Sequence, residues 1–119
     1  MGKAKIIGIV ITLSMVFFPY LARAQGNVDK GKNLFTQQCA SCHGPGGKGD
    51  GPAAMALKPK PRDLTDKAYM AGLSDQHLLD VIKKGGAAVG KSPLMPSMGA
   101  AMKDNDIQDV VAFLRSLAK

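Results

Sequence analysis

Apolar and polar positions divide this chain into one continuous apolar run and three amphipathic stretches. Ile6 to Phe18 is nearly unbroken in its hydrophobicity. Beyond it, apolar residues recur at helical spacing. Val28, Leu34, Phe35, Cys39 and Cys42 share a face of a helix running from an Asn27 or Asp29 cap to about Cys42. Gly31 lies on the same face. A glycine inside a helix costs about 1 kcal/mol relative to alanine, which makes sense if another helix crosses closely there. Leu78, Leu79, Val81 and Ile82 mark a second helix, from a Ser74 cap to about Lys84, ended by Gly85-Gly86. Ile107, Val110, Val111, Leu114 and Leu117, with Phe113 beside them, mark a third from Asp104 to about Ala118. Asp104, Asp106 and Asp109 near its start and Arg115 near its end suit the helix dipole. No β-rich run appears after the first apolar segment. The expected fold class is all-α, with three to four helices.

The segments between these helices carry the chain's punctuation. Gly44 to Pro52 is a glycine-rich loop. It lacks the Ser or Thr after Lys48 that a phosphate loop needs, and Asp50 lacks the alternating carboxylates of a calcium loop. Its glycines suggest a tight wrap of backbone around the edge of a bound group. Ala53 to Leu57 can form one helical turn. Pro59 to Leu64 must be extended, because two prolines forbid a helix. Ala87 to Met102 is an irregular segment holding Met95, Pro96 and Met98.

The first apolar run reads as an export signal. Lys3 and Lys5 give it a positive start, and Ala22-Arg23-Ala24 is a small-x-small cleavage pattern behind Pro19. The run is shorter than the roughly 20 residues of a membrane span. Residues 1–24 are therefore expected to be a signal peptide and 25–119 a single domain, with no stable membrane insertion after cleavage. An uncleaved anchor is the alternative. The expected compartment is a bacterial periplasm. Losing Lys3, Lys5 and Arg23 lowers the formal charge of +7 by three. The remaining excess does not indicate a nucleic-acid binder, which needs a basic stripe with groove-reading elements. It permits steering toward an acidic partner, or simply keeps the chain in solution.

The chemistry sits at Cys39-Ala40-Ser41-Cys42-His43. This is C-x-x-C-H, the attachment signature for a c-type haem. On a helix, residues three and four apart share a face. Both thiols can then add to the two vinyl groups on one haem edge while His43 reaches the iron as proximal ligand. Three other readings compete. A thioredoxin-like pair wants a βαβ setting. A zinc site wants four ligands, and only His77 remains to complete one. A disulfide across so short a loop is strained and leaves His43 unexplained. One covalent haem c is therefore expected. Export suits it, since exported thiols otherwise oxidise. After residue 24 the aromatic residues are Phe35, Tyr69 and Phe113, too few for a large core. The haem would supply the missing apolar mass, so the apo form is expected to be unfolded or molten.

A low-spin electron carrier also needs a ligand on the other side of the iron. The candidates are Met55, Met70, Met95, Met98, Met102 and His77. Met95 leads, because Pro96 pins the backbone of a loop residue better placed over a haem than one in a helix stripe. Met98 is next. For each methionine the competing use is core filling. His77, at the edge of its helix stripe, is expected to be a partly exposed helix residue. A metal-bound histidine usually donates its second N–H to a carbonyl, and the Pro59 to Leu64 segment is a plausible source. Lys58, Lys60 or Arg62 can pair with haem propionates or remain solvated.

From Asn27 to Lys119 the chain resembles a small class I cytochrome c. The likeness rests on Cys39 to Pro52, Pro61-Arg62-Asp63-Leu64-Thr65, Val81-Ile82 before Gly85-Gly86, Met95-Pro96, and the closing Asp106-to-Leu117 helix. It implies the cytochrome c fold around one covalent haem, Met95 as axial ligand, and Gly31 and Phe35 packing on Phe113. It implies a one-electron carrier between redox protein donors and acceptors, expected to be a monomer and not an enzyme. The alternatives are a haem-based ligand-binding or sensor protein and a cytochrome subunit of a larger oxidoreductase. Two departures stand out. Ser97-Met98 follows Met-Pro where Pro or Ala and an aromatic are usual, and Lys103-Asp104 opens the last helix where Ser is common.

Overall fold

The computed structural model describes Gly2 and residues 26–119. The expected signal segment, with its cleavage pattern at Ala22-Arg23-Ala24, otherwise lies outside the described residues. Five α-helices and two 3-10 turns, and no strand, are found among those described. They are α1 (Val28–Gln38), α2 (Ala40–His43), α3 (Lys67–Ala71), α4 (Asp75–Lys84) and α5 (Asp104–Leu117). The 3-10 turns span Pro52–Ala56 and Ala87–Val89. No described helix is long and apolar enough to cross a membrane.

The all-α expectation is met, with differences in detail. Asn27 caps α1, its side chain accepting from Lys30 N at 2.9 Å. The helix stops at Gln38 instead of continuing to Cys42, because Cys39 leaves helical geometry at φ −121°. α2 then restarts the turn. The apolar spacing runs on across this break, so periodicity could not reveal it. Val28, assigned to the buried stripe, is instead 41% exposed. α3 was not expected at all. Asp66 caps it, accepting from Tyr69 N at 3.0 Å, and Arg115 of α5 closes it by donating to Met70 O at 2.6 Å and to Leu73 O. Arg115 therefore ties α3 to α5, a role beyond complementing its own helix dipole. Lys103 stands at the cap of α5, its N–H donating to Asp106 at 3.3 Å in place of a serine cap.

The core forms where α1 crosses α5. Phe35, Ile107 and Val110 are each only 1% exposed, and the Phe35 and Phe113 rings stand 5.3 Å apart at 55°. Gly31 is the reason the crossing is close. A Cβ there would collide with the carbonyl of Asp109. Asp109, in the second turn of α5, is buried. It accepts from Asn27 N at 2.7 Å and from Lys30 at 2.9 Å, while Lys30 also reaches Asp106 at 2.7 Å. The hydrogen bond from Lys30 holds the Asp106 carboxyl below its ordinary range, and the two carboxylates raise Lys30.

The sign of that coupling can be checked. Asp106's contribution is present above its ordinary value of 3.8 and is lost as pH falls through its lower folded value. Lys30's contribution is present below 10.5 and lost as pH rises through its raised folded value. Lys30→Met is therefore expected to lower the melting temperature of the haem-loaded protein at pH 7. At pH 3 the gap from wild type should narrow. Equal gaps at both pH values would mean that Lys30 acts through packing alone.

Candidate functional site

Two clefts meet beside the break between α1 and α2. The inner one runs under α4 and α5, with Phe35, Val81, Ile82, Val110 and Leu114 in its walls. The outer one opens between α2, the Pro59–Pro61 stretch and the Ser92–Met98 loop. Cys39, His43, Lys91 and Met95 line both. Cys42 lines the outer cleft. The break at Cys39 is what sets the C-x-x-C-H turn along this boundary, at the end of α1 instead of within it.

Hydrogen bonds from the glycine-rich loop hold α2 in place. Gly49 N donates to His43 O at 2.8 Å and Gly51 N to Cys42 O at 3.2 Å. This corrects the expectation that the loop wraps a bound group, since none of residues 44–52 lines either cleft. The loop supports α2 from behind. The expected Ala53–Leu57 turn is present as the 3-10 turn Pro52–Ala56.

His43 Nδ1 is buried with no hydrogen-bond partner. The Pro-rich segment passes nearby but gives it no carbonyl, contrary to expectation. Burial holds the imidazole below its ordinary pKa of 6.5, so His43 is neutral at neutral pH. Neutral imidazole is the form that binds a metal. Cys39 is pushed up to about 11, chiefly by burial, with Cys42 adding to it. A redox-active C-x-x-C needs the opposite, a thiol depressed toward thiolate. Neither cysteine is in a disulfide. Among the described residues no group of three or more His, Cys, Asp or Glu is gathered as a metal cluster. The donor set is one imidazole, two thiols and thioethers around an apolar hollow. It fits a haem, whose ring needs apolar walls and whose iron takes nitrogen and sulfur donors.

The methionines sort by burial. Met70 and Met102 are 1% and 6% exposed and fill the core, as their competing reading anticipated. Met55 is 80% exposed and lines neither cleft. Met95 lines both clefts, and Met98 lines the outer one only. Backbone bonds secure the loop that carries them. Gly86 N donates to Met95 O at 3.0 Å and Met98 N to Ile82 O at 2.9 Å, while Ser97 Oγ bonds Lys83 O at 2.6 Å. Gly85 makes this seating possible. Its φ is +86°, and a Cβ there would lie 3.1 Å from Met95 O.

The sequence reading undervalued three residues. Arg62 lies over the Tyr69 ring, 4.1 Å from its centroid, and both line the inner cleft. Lys91 reaches the Tyr69 hydroxyl at 3.4 Å. Tyr69 was visible only as one of few aromatic residues. The unforeseen α3 is what carries it to the cleft.

Comparisons with known proteins place the fold. The chain is 30% identical over 88 residues to the Cbb3-type cytochrome c oxidase subunit FixP of Bradyrhizobium diazoefficiens. That match covers 74% of this chain and 27% of FixP, so the chain spans about a quarter of its relative's length. The fold is similar to that of the solved KustC0563 c-type cytochrome, with a TM-score of 0.61 and 22% identity, over 75% of this chain and 98% of that one. The cytochrome c family model matches residues 28–118, from the start of α1 to the residue after α5 with the cleft between, and the chain belongs to the cytochrome c family.

Proposed function

We propose that this protein is an exported monohaem electron carrier, with Cys39 and Cys42 tethering the haem, His43 as proximal ligand and Met95 as distal ligand. The family implies covalently bound haem c with iron, and electron exchange with redox partners. The finer assignment rests on one observation above all. His43 and Met95, a neutral imidazole and a thioether, are both carried by segments that line the two clefts together. The group held there would supply a one-electron couple. The residues do the rest. Apolar side chains of α1, α4 and α5 exclude water, which limits rearrangement on electron transfer. The thioether is a soft donor and favours reduced iron, raising the potential. Lys60 and Lys91 line the outer cleft, where no Asp or Glu does, and this suits an acidic partner. The reading assigns the protein to the periplasm and gives it no bond chemistry of its own.

A second reading has its own support. The relative FixP is by its name an oxidase subunit, so this chain can serve within a larger oxidoreductase complex. Stable co-purification with a second chain would favour that reading.

The test is export with haem maturation, followed by denaturing extraction and mass measurement. Wild type is expected to retain one haem per chain and to begin at residue 25. Cys39→Ala and Cys42→Ala are each expected to lose one covalent attachment, and the double variant to release its haem entirely. Retention of haem by the double variant would overturn the tether assignment.

A further inference from the structure

We propose that Ser97 is a positioning residue for Met95: its hydroxyl latches the methionine loop to the end of α4 and so keeps small ligands from displacing the thioether. The inference deepens the reading above and rests on Met95 as distal ligand. Ser97-Met98 is one of the two departures that stand out in the sequence. Pro or Ala is usual at the first of these positions, and neither has a side-chain donor. In this chain Ser97 Oγ donates to Lys83 O at 2.6 Å. Where an aromatic usually follows, Met98 lines the outer cleft, and its unbranched, flexible side chain covers the site less rigidly. A hydrogen bond stands here in place of bulk.

The latch uses what every helix leaves at its end, four carbonyls without partners inside the helix. In α4 they belong to Val81, Ile82, Lys83 and Lys84. Gly85 N turns back to Val81 O at 3.0 Å. The loop from Ser92 to Gly99 serves the next two. Met98 N donates to Ile82 O at 2.9 Å, while Gly99 N and Ser97 Oγ both donate to Lys83 O, at 3.0 and 2.6 Å. A Cβ on Gly99 would stand 2.8 Å from that same carbonyl, so the approach is close. On the other side of Pro96, Gly86 N donates to Met95 O at 3.0 Å. Met95 and Ser97 therefore flank a residue of fixed φ, and holding one restrains the other. Among the described residues, Ser97 makes the one side-chain hydrogen bond between this loop and α4. The backbone bonds are open to almost any sequence, whereas this one depends on the residue.

A thioether is a soft ligand and holds ferric iron less firmly than ferrous. Its place over the cleft therefore depends on how rarely the loop lifts from α4. Such lifting is a local opening and needs no global unfolding. Ser97 is exposed, so its bond adds little to the core and acts on this opening instead. A ligand that binds only the open form binds in proportion to how often that form is populated. Losing one hydrogen bond changes such a population by about two- to tenfold. Ser97 thereby takes part in the choice between an electron carrier and a ligand-binding protein, since a vacated distal place serves the second.

The experiment follows imidazole as it displaces the thioether in the oxidised, haem-loaded protein, read as the rate at which the weak far-red sulfur-to-iron band is lost. Wild type, Ser97→Ala, Ser97→Thr and Lys30→Met are compared. Ser97→Ala is expected to show the band and to lose it about two- to tenfold faster than wild type. Ser97→Thr keeps the hydroxyl and is expected to restore the wild-type rate. Lys30→Met breaks an ion pair between α1 and α5 and is expected to lower the melting temperature with the rate unchanged. That contrast separates a latch on Met95 from general loosening of the fold. Equal rates in Ser97→Ala and wild type overturn the inference and leave the ligand reading intact, as does an equal acceleration in Lys30→Met. A wild type with no sulfur band overturns the reading of Met95 and the latch together.

Discussion

Met95→Ala is expected to abolish the weak far-red sulfur-to-iron band of the oxidised protein, while Met98→Ala leaves it intact. The two residues lie three apart in one loop, so composition and distance along the chain do not separate them. Their placement does. Met95 lines both clefts beside His43, and Met98 lines the outer cleft alone. Losing the thioether should also lower the potential, because a soft donor stabilises the reduced iron. Room opened beside the iron should admit small ligands in the variant. Survival of the band in Met95→Ala with its loss in Met98→Ala would reverse the assignment. A wild type that binds such ligands freely, with no sulfur band, would move the protein to the sensor class.

The second large effect is expected at Gly31. By helix propensity alone, Gly31→Ala should stabilise α1 by about 1 kcal/mol. The structure reverses that sign. The new methyl would meet the Asp109 carbonyl, which is backbone within α5 and cannot rotate aside. Overpacking costs about 1–3 kcal/mol, and here relief requires the two helices to part. Parting them loosens Phe35, which touches both the core and the site: its ring lies 5.3 Å from Phe113 and 6.2 Å from His43. With the propensity gain subtracted, the expected net loss is up to about 2 kcal/mol, a fall of up to roughly 16 °C in melting temperature for a domain of this size. Denaturation of the haem-loaded protein measures it. A higher melting temperature in Gly31→Ala would show that the crossing is looser than the geometry describes.

Much of this architecture was legible because it rests on local chemistry. Ser74 and Asn27 announced their helices by accepting backbone N–H groups three residues on, an interaction within one turn. The apolar stripes of α4 and α5 placed Leu78, Val81, Ile82, Ile107 and Val110 in the core. Gly31 announced a close crossing before its partner helix could be seen, since few other reasons keep glycine on a buried helix face. The C-x-x-C-H spacing was readable because its five residues are consecutive, whatever helix they fall on.

What the sequence could not reveal depends on groups distant along the chain. The break at Cys39 leaves the apolar spacing unchanged, so no periodicity marks it. α3 is five residues long, too short to show an amphipathic period. It is stabilised by Arg115, which lies more than forty residues further along. Asp109 looked like a dipole-complementing aspartate, but α1 brings it Asn27 and Lys30 and makes it a buried acceptor. His77 is the partly exposed helix residue expected of it, but that its Nε2 is buried without a partner at the cleft could not be foreseen. The amino-acid order alone therefore determined the start of α1, the courses of α4 and α5, the crossing glycine and the C-x-x-C-H turn, because each is a short-range relation among neighbours. Only the tertiary structure decided which methionine borders both clefts, which nitrogens of the two histidines are buried without partners and which basic residues gather at the cleft edge. Those are properties of space shared by segments that the sequence keeps far apart.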